Sequence, residues 1–409
     1  MFEKIFKYLA YIAIVFAILS GIVIHKATSW FVNDYHFSSL AQSFVHNNLF
    51  LSPINLPPGD FVDFKGKQYL FFGPMPSILL TPFVLIWGRD FPQFTLSVIS
   101  IAVVYASVYL LLRKFKFKKV DTIYLASFFT FGTVFFFVSL VNISAYVVQA
   151  VATAFFVLAL LEYFGKRRWL VIGFLTACAI ATRWTLIGLC AFFVLEIYRQ
   201  KKTLDLTNTL RLFLIPIIFV VLLLSFYNFK RFGSFFDTGY TRNVSVLDKS
   251  YYNYKLGWFS PLHIPANLYA LFVMAPEPVK RTDVEFALRF PYLKANGYGM
   301  AIWFTSPLFI YLIKIRKETY TLSAVAAIFI LLFPSLVYFG IGSSQFGYRY
   351  SLDFLPLLFL ILISAFRKSL PHFAKGLIVF GIVFNCFYML SIWNIYPLVN
   401  FWVYLKDLI

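Results

Sequence analysis

Long apolar runs recur along the chain, broken by short basic or long polar connections, and their length predicts helices rather than strands. Crossing the roughly 30 Å hydrocarbon core of a bilayer takes about 20 mostly apolar residues as a helix. Runs of about that size fall at 7–25, 91–112, 121–141, 145–164, 168–183, 184–198, 210–228, 298–313, 318–340, 351–366 and 376–394. The pattern predicts an all-α fold: a polytopic transmembrane helix bundle of about eleven spans, forming one integral membrane domain over 1–409. Two connections are too long to be plain linkers. The first, 26–90, is expected to carry juxtamembrane helices, one of them in FSSLAQSFVHNNLF; the second, 229–297, is polar and rich in Tyr. Long connections on a rigid scaffold are where function concentrates. The stretch 69–88 is apolar but holds Pro74, Pro76 and Pro82, so it reads as an interfacial or re-entrant helix rather than a span.

Charge orients these spans. The short connections hold 20 of the 36 Lys and Arg residues, including Lys114, Lys116, Lys118 and Lys119 and the run Lys166, Arg167 and Arg168. Short cationic loops stay cytoplasmic, so the N-terminus is expected inside, with both long connections on the outer face. The net charge of +19 is then topology plus contact with anionic headgroups, and nothing in it calls for nucleic acid. Composition agrees on the class: 61% hydrophobic, 13% charged, mean hydropathy +0.79. Lipid can solvate that much apolar surface, whereas a soluble domain could not hide it. Lys4 and Lys7 before an apolar run imitate a signal peptide, but without a clear small-residue cleavage site the run reads as an uncleaved first helix. Cys178, Cys190 and Cys386 fall inside predicted spans and offer no metal-ligand spacing.

Candidate chemistry therefore belongs to the outer face. Its carboxylates are Asp34, Asp60, Asp63 and Asp90 in the first connection and Asp237, Asp248, Glu277, Asp283 and Glu285 in the second, with Asp353 at the outer start of a late span. Cations on that face include Lys67, Arg183, Arg231, Arg242 and Arg349. A carboxylate beside arginines at a lipid surface suits one reaction: the acid takes a proton from an acceptor hydroxyl while guanidinium groups hold a departing lipid phosphate. Asp34, just past the first span, is the candidate base, Arg183 and Arg349 the candidate phosphate ligands. Asp60, Asp63, Lys67, Tyr348, Arg231 and Tyr240 are candidate substrate contacts. Each has a plainer reading. Asp34 would serve equally as the N-cap of a helix over 35–49, Arg183 as a snorkelling helix end, and Arg349 as the partner of Asp353 at helical spacing. The five histidines are scattered without metal-ligand spacing, so a divalent metal has no support here. No Gly-rich phosphate loop offers a nucleotide pocket.

One span, a long outer connection opening on an acidic residue, then many further spans: this plan resembles the GT-C superfamily of membrane glycosyltransferases. Its members include protein O-mannosyltransferases and lipid A aminoarabinose transferases, and the likeness is to bacterial relatives of these. NDYHFSSLAQSF, GKQYLFFGPMPSILLTPF, AIATRWTLIGL, YNFKRFGSFFDTGY, GMAIWFTSPLF and SQFGYRYSLDFLPLL carry it, from about 33 to 358. The resemblance implies sugar transfer from a polyprenyl-phosphate donor to a glycan, lipid or protein acceptor hydroxyl on the outer face of a bacterial inner membrane. It implies Asp34 as the general base and Arg183 and Arg349 as donor-phosphate ligands. Two departures stand out: Asn33 precedes Asp34 where many relatives pair two acids, and the stretch VNIS offers Asn142 where a second acid is common. A transporter or flippase of a lipid-linked or small substrate is the competing reading. Transporters place ionisable groups near mid-membrane in repeated halves; here Glu162, Glu196, Arg183 and Asp353 sit near span ends and no repeat is evident. A polysaccharide polymerase or ligase would want a very large late loop, which is missing.

Overall fold

The computed structural model describes residues 2–30, 32–51, 60–242, 256–281 and 287–393. Asp248, Asp283 and Glu285 lie outside the described residues, as does the end of the last predicted span.

The chain opens with α1 (Phe2–Ser29). Its buried face is a stripe of Ala10, Ala13, Ala17 and Ile24 at helical spacing, while Ile12, Leu19 and Ile22 point outward and are more than half exposed. Small residues inward and bulky aliphatics outward suit a helix packed on protein at one side and lipid at the other. Next come α2 (His36–Val45), the hairpin β1 (Phe61–Phe64) and β2 (Lys67–Leu70), and α3 (Met75–Trp87). Lys65 and Gly66 both take positive φ, the backbone a two-residue hairpin turn requires. At 13 residues α3 reaches only about 20 Å, too short to cross a bilayer. It lays Leu80 and Val84 against Phe37, Leu40 and Ala41 of α2.

The bundle follows: α4 (Phe94–Lys114), α5 (Lys119–Phe131), α6 (Val134–Leu140), α7 (Ser144–Phe164), α8 (Trp169–Thr182), α9 (Leu189–Arg199) and α10 (Leu206–Phe232). Helix α7 is the central post, with 78% of its apolar window buried, against 22% for α10 at the periphery. Helices α4 and α8 flank α7, and α10 packs on α8. There Gly173 meets the Phe213 carbonyl so closely that an added Cβ would lie 2.2 Å from its oxygen. The rest comprises α11 (Ile264–Phe272), β3 (Glu277–Lys280), β4 (Leu288–Lys294), β5 (Tyr298–Met300), α12 (Ile302–Thr305), α13 (Thr321–Val337), β6 (Gln345–Gly347), α14 (Leu355–Ile363) and α15 (His372–Tyr388).

The protein is a helical membrane protein. Among the described residues five helices are long and apolar enough to cross a membrane, α1, α4, α7, α10 and α15 with its extension to Ile392. Helices α5 and α6 together match the length and apolarity of a further span, either a broken span or a re-entrant pair, bent by 56° where Gly132 ends one helix and the Thr133 hydroxyl caps the next by accepting from Phe135 N. The expectation of about eleven spans exceeds the five, or six with the bent pair, that length and apolarity support among the described residues. The stretch 168–198 divides at Arg183 into α8, a 3₁₀ turn and α9. The stretch 298–313 is no α-helical span, because Pro307 starts a 3₁₀ segment after the single turn of α12. Among the described residues the all-α expectation also needs amending by three two-stranded sheets, β1 with β2 and β3 with β4 antiparallel, β5 with β6 parallel.

Candidate active site

The N-terminus of α7 gathers the acidic residues. Asp34 Oδ2 accepts from Ser144 N at 2.8 Å, and Asp60 Oδ2 accepts from Ala145 N at 3.3 Å. Two consecutive amides of one helix start thus hold two carboxylates from different parts of the first connection. The unpaired N–H groups and the positive end of the helix dipole favour negative charge there. The stretch VNIS supplies the frame. Asp34 N donates to the Asn142 carbonyl at 3.0 Å, and Asn142 Nδ2 donates to the Asp34 carbonyl at 3.1 Å and to Asn33 Oδ1 at 2.6 Å. Gln93, fully buried, accepts from Phe37 N and donates to Asn142 Oδ1 and Ser144 Oγ, which locks α2 to the same post.

Asp34 therefore does not cap the helix that follows it. Helix α2 begins at His36 with no side-chain cap, and the Asp34 carboxylate caps α7 from a distance of 110 residues along the chain. His36 Nδ1 lies 2.8 Å from Ser144 Oγ and 3.5 Å from Asp34 Oδ2. Burial pushes the Asp60 carboxyl up from 3.8 to about 6, with Asp34 adding to the rise and His36, Ala145 N and Arg349 opposing it.

Asp34, His36 and Asp60 each offer a ligand atom, all within 4.8 Å of one another. Two carboxylates and an imidazole form an oxygen and nitrogen donor set that suits a divalent cation, and mutual repulsion of the two acids is what a cation would relieve. The histidine spacing alone did not signal this group, since Asp34 and His36 stand two apart and Asp60 arrives from beyond a loop.

A cavity of about 680 Å³ opens beside the acidic pair. Asp60, Arg183, Arg349, Tyr240, Tyr338 and Tyr350 are among its walls. Asp34 is not, being 6% exposed and set behind Asp60. Arg183 arrives where α8 ends and the backbone becomes extended. Its Nε donates to Asp353 Oδ1 at 2.6 Å, and Thr185 Oγ1 donates to Asp353 Oδ2 at 2.7 Å. Arg349 is delivered by β6 and lies over the rings of Tyr350 and Tyr146, 4.7 and 5.2 Å from their centroids. The expected Arg349–Asp353 pair does not form: residues 349–353 are 3₁₀ rather than α-helical, and Asp353 turns to Arg183. Tyr240 OH meets Tyr338 OH at 2.8 Å across the cavity mouth, and burial pushes the Tyr240 phenol up to about 12. Gly73 lets the segment after β2 touch the end of α8, where a Cβ would lie 2.1 Å from the Ala181 carbonyl oxygen.

The remaining candidates stand elsewhere. Asp63 is exposed on β1, and Lys67 on β2 sets its ammonium 4.4 Å from the Phe50 ring centre. Arg231 is buried, tying α10 to the Leu70 carbonyl at 2.7 Å and stacking on Tyr227. Tyr348 is buried with its hydroxyl donating to Asn267 Oδ1 at 2.9 Å. None of these four lines the cavity, because packing and backbone ties consume their polar groups or turn them to solvent. Sequence reasoning missed His36, Ser144, Thr185, Tyr338 and Tyr350. Tyr350 had a signal, its place beside Arg349; the others have none that is local.

No family model and no curated protein matches this sequence. Among solved structures it aligns with the Archaeoglobus fulgidus oligosaccharyltransferase. The apo form gives a TM-score of 0.44 at 16% identity, over 87% of this chain and 50% of that one. The form tethered with an acceptor peptide containing the NVT sequon gives 0.44 at 14%, over 87% and 49%. The complex with an inhibitory peptide and a dolichol-phosphate gives 0.43 at 14%, over 87% and 50%. This chain spans about half the length of that enzyme, and a likeness of this size assigns no residue roles.

Proposed function

We propose that this protein is an inverting membrane glycosyltransferase. It would move a sugar from a polyprenyl-phosphate donor to the hydroxyl of a glycan, lipid or protein acceptor, on the outer face of a bacterial inner membrane. One observation carries the reading: Asp60, held beside the buried Asp34, and two arginines from distant parts of the chain line one aromatic-walled cavity among membrane-length helices. The acceptor oxygen attacks the anomeric carbon, forming the new glycosidic bond. The bond from that carbon to the phosphate oxygen breaks, and its electron pair leaves with the lipid phosphate. The acceptor proton passes to the Asp34–Asp60 pair, whose cavity-facing member is Asp60. Arg349 and Arg183 hold the phosphate, and Tyr240 and Tyr350 supply stacking and hydroxyl contacts to the sugar. Asp34, His36 and Asp60 would be the ligands of a divalent cation, which when bound would supply positive charge beside the reacting centre.

The test is sugar transfer by purified protein in proteoliposomes from polyprenyl-phosphate sugars. Asp34→Asn and Asp60→Asn should each lower the transfer rate by about 100-fold or more, while donor binding persists. Transfer near the wild-type rate in both variants would refute the mechanism. Lipid-linked sugar crossing the bilayer without any new glycosidic bond would make the protein a flippase instead.

A further inference from the structure

We infer that Asp353 sets the charge of the phosphate pocket, so that the site selects a donor carrying one phosphate over a donor carrying two. The inference rests on the function proposed above and goes beyond it, from a lipid-phosphate donor to the number of its charges.

The cavity wall contains two cations, Arg183 and Arg349. They are not equivalent. Arg183 is held by Asp353 at 2.6 Å, and the acid is only 2% exposed. Thr185 occupies the second oxygen of Asp353, so both oxygens are engaged and the pair is fixed before any ligand arrives. A close ion pair in a low-dielectric site cancels most of the guanidinium's charge. The Arg183 Nη groups still donate hydrogen bonds, but to a phosphate arriving from outside the pair is nearly neutral.

Among the described residues no carboxylate lies within 4.0 Å of the Arg349 guanidinium, although Asp60 feels its charge. Its Nη groups reach only Gln149 Oε1 and Tyr350 OH, both at 3.4 Å, and its Nε is buried with no hydrogen-bond acceptor. Tyr146 and Tyr350 support it through their ring faces, contacts that leave the positive charge unspent. Of the two guanidinium groups in the wall, then, Arg349 alone has its charge unneutralised by a direct ion pair, with Arg183 as an auxiliary donor. A single phosphodiester charge balances that of Arg349. A diphosphate brings a second negative charge with no cation to meet it, beside a cavity wall that already includes Asp60. Desolvating an unmatched charge is costly. The acids at α7 do not favour the second phosphate either, since any cation bound there is offset by two carboxylates.

The measurement is binding of undecaprenyl-phosphate-glucose, a phosphodiester with one charge, and undecaprenyl-diphosphate-glucose, with two, to the full-length protein in detergent, with sugar transfer followed in parallel. Wild type should bind the monophosphate at least tenfold tighter. Asp353→Asn, which frees the charge of Arg183, should tighten diphosphate binding about tenfold and bring the two affinities together. Arg183→Gln combined with Asp353→Asn restores a neutral pair and should restore the wild-type preference. That double variant buries no unpaired charge, so it keeps the test alive if Asp353→Asn fails to fold. Equal or tighter diphosphate binding by wild type overturns the inference, and so does a double variant that loses the preference. In either case, transfer that still depends on Asp34 and Asp60 leaves the glycosyltransferase reading standing. If the protein binds neither lipid and transfers no sugar, both readings fall together.

Discussion

Asp60 places stability and activity in opposition. Its carboxyl is pushed up from 3.8 to about 6, so the folded protein holds that proton more tightly than the unfolded chain does. The stabilisation this brings is fully present below pH 3.8 and is lost as the pH rises through about 6. A base must be deprotonated, so transfer should run the other way, falling about tenfold per pH unit below 6 and levelling above it. Asp60→Asn should abolish that acid limb and raise the melting temperature at pH 8 relative to wild type, with little change at pH 4. Thermal melts and single-turnover rates across this range check both halves; a variant less stable than wild type at pH 8 would contradict the assignment. Added divalent cation should shift the acid limb to lower pH by holding Asp60 ionised, and a chelator should shift it back.

At the level of elements, the site depends on close approaches that tolerate no added volume. Gly73→Ala would force a methyl to 2.1 Å from the Ala181 carbonyl oxygen and 2.7 Å from that of Thr182, both backbone atoms that cannot swing aside. The segment after β2 must then part from the end of α8, displacing Arg183. We expect a cost of about 2 kcal/mol or more in stability together with weakened donor binding. Gly66→Ala, in the exposed hairpin turn with nothing within 4 Å of a Cβ, should leave donor binding unchanged. Lipid titration of the two variants distinguishes displacement of the site from general loosening. These contacts mark where sequence reading stops. Helices α1, α4, α7 and α10 were legible because length and apolarity are local properties, and Arg183 was legible as the break between two helices. The Arg183–Asp353 pair spans 170 residues and the Asp34–Ser144 contact 110, and no local pattern encodes either. Asn142 looked like a missing acid in the sequence. In the fold its amide and carbonyl hold the Asp34 backbone, and the carboxylate that lies beside Asp34 is that of Asp60.

The whole molecule has a polarity that turns these local arguments into a statement about sidedness. Arg113 and Lys114 end α4, Lys166 follows α7, and Arg199 ends α9, whereas the acidic pair sits at the opposite end of α7, on Ser144 and Ala145. Since α7 is long enough to cross the membrane, its basic end and its acidic-site end belong to opposite faces. On the proposed reading the basic end faces the cytoplasm, and the cavity would then face outward, where the sugar of a translocated lipid carrier would be met. The buried Glu196 reinforces the basic end: it pairs with Arg199 at 2.6 Å and accepts from Ser323 at 2.6 Å, so α9 and α13 are pinned there. Single cysteines test the orientation directly, because Cys178 and Cys386 are buried and Cys190 is partly covered, which keeps the background low. In intact cells a membrane-impermeant maleimide should label Lys67→Cys, exposed on the hairpin leading into the cavity wall, and should miss Lys166→Cys, exposed at the far end of α7, until the cells are opened. The reverse pattern would put the acidic pair in the cytosol, where a lipid-linked sugar displayed on the outer leaflet could not reach it.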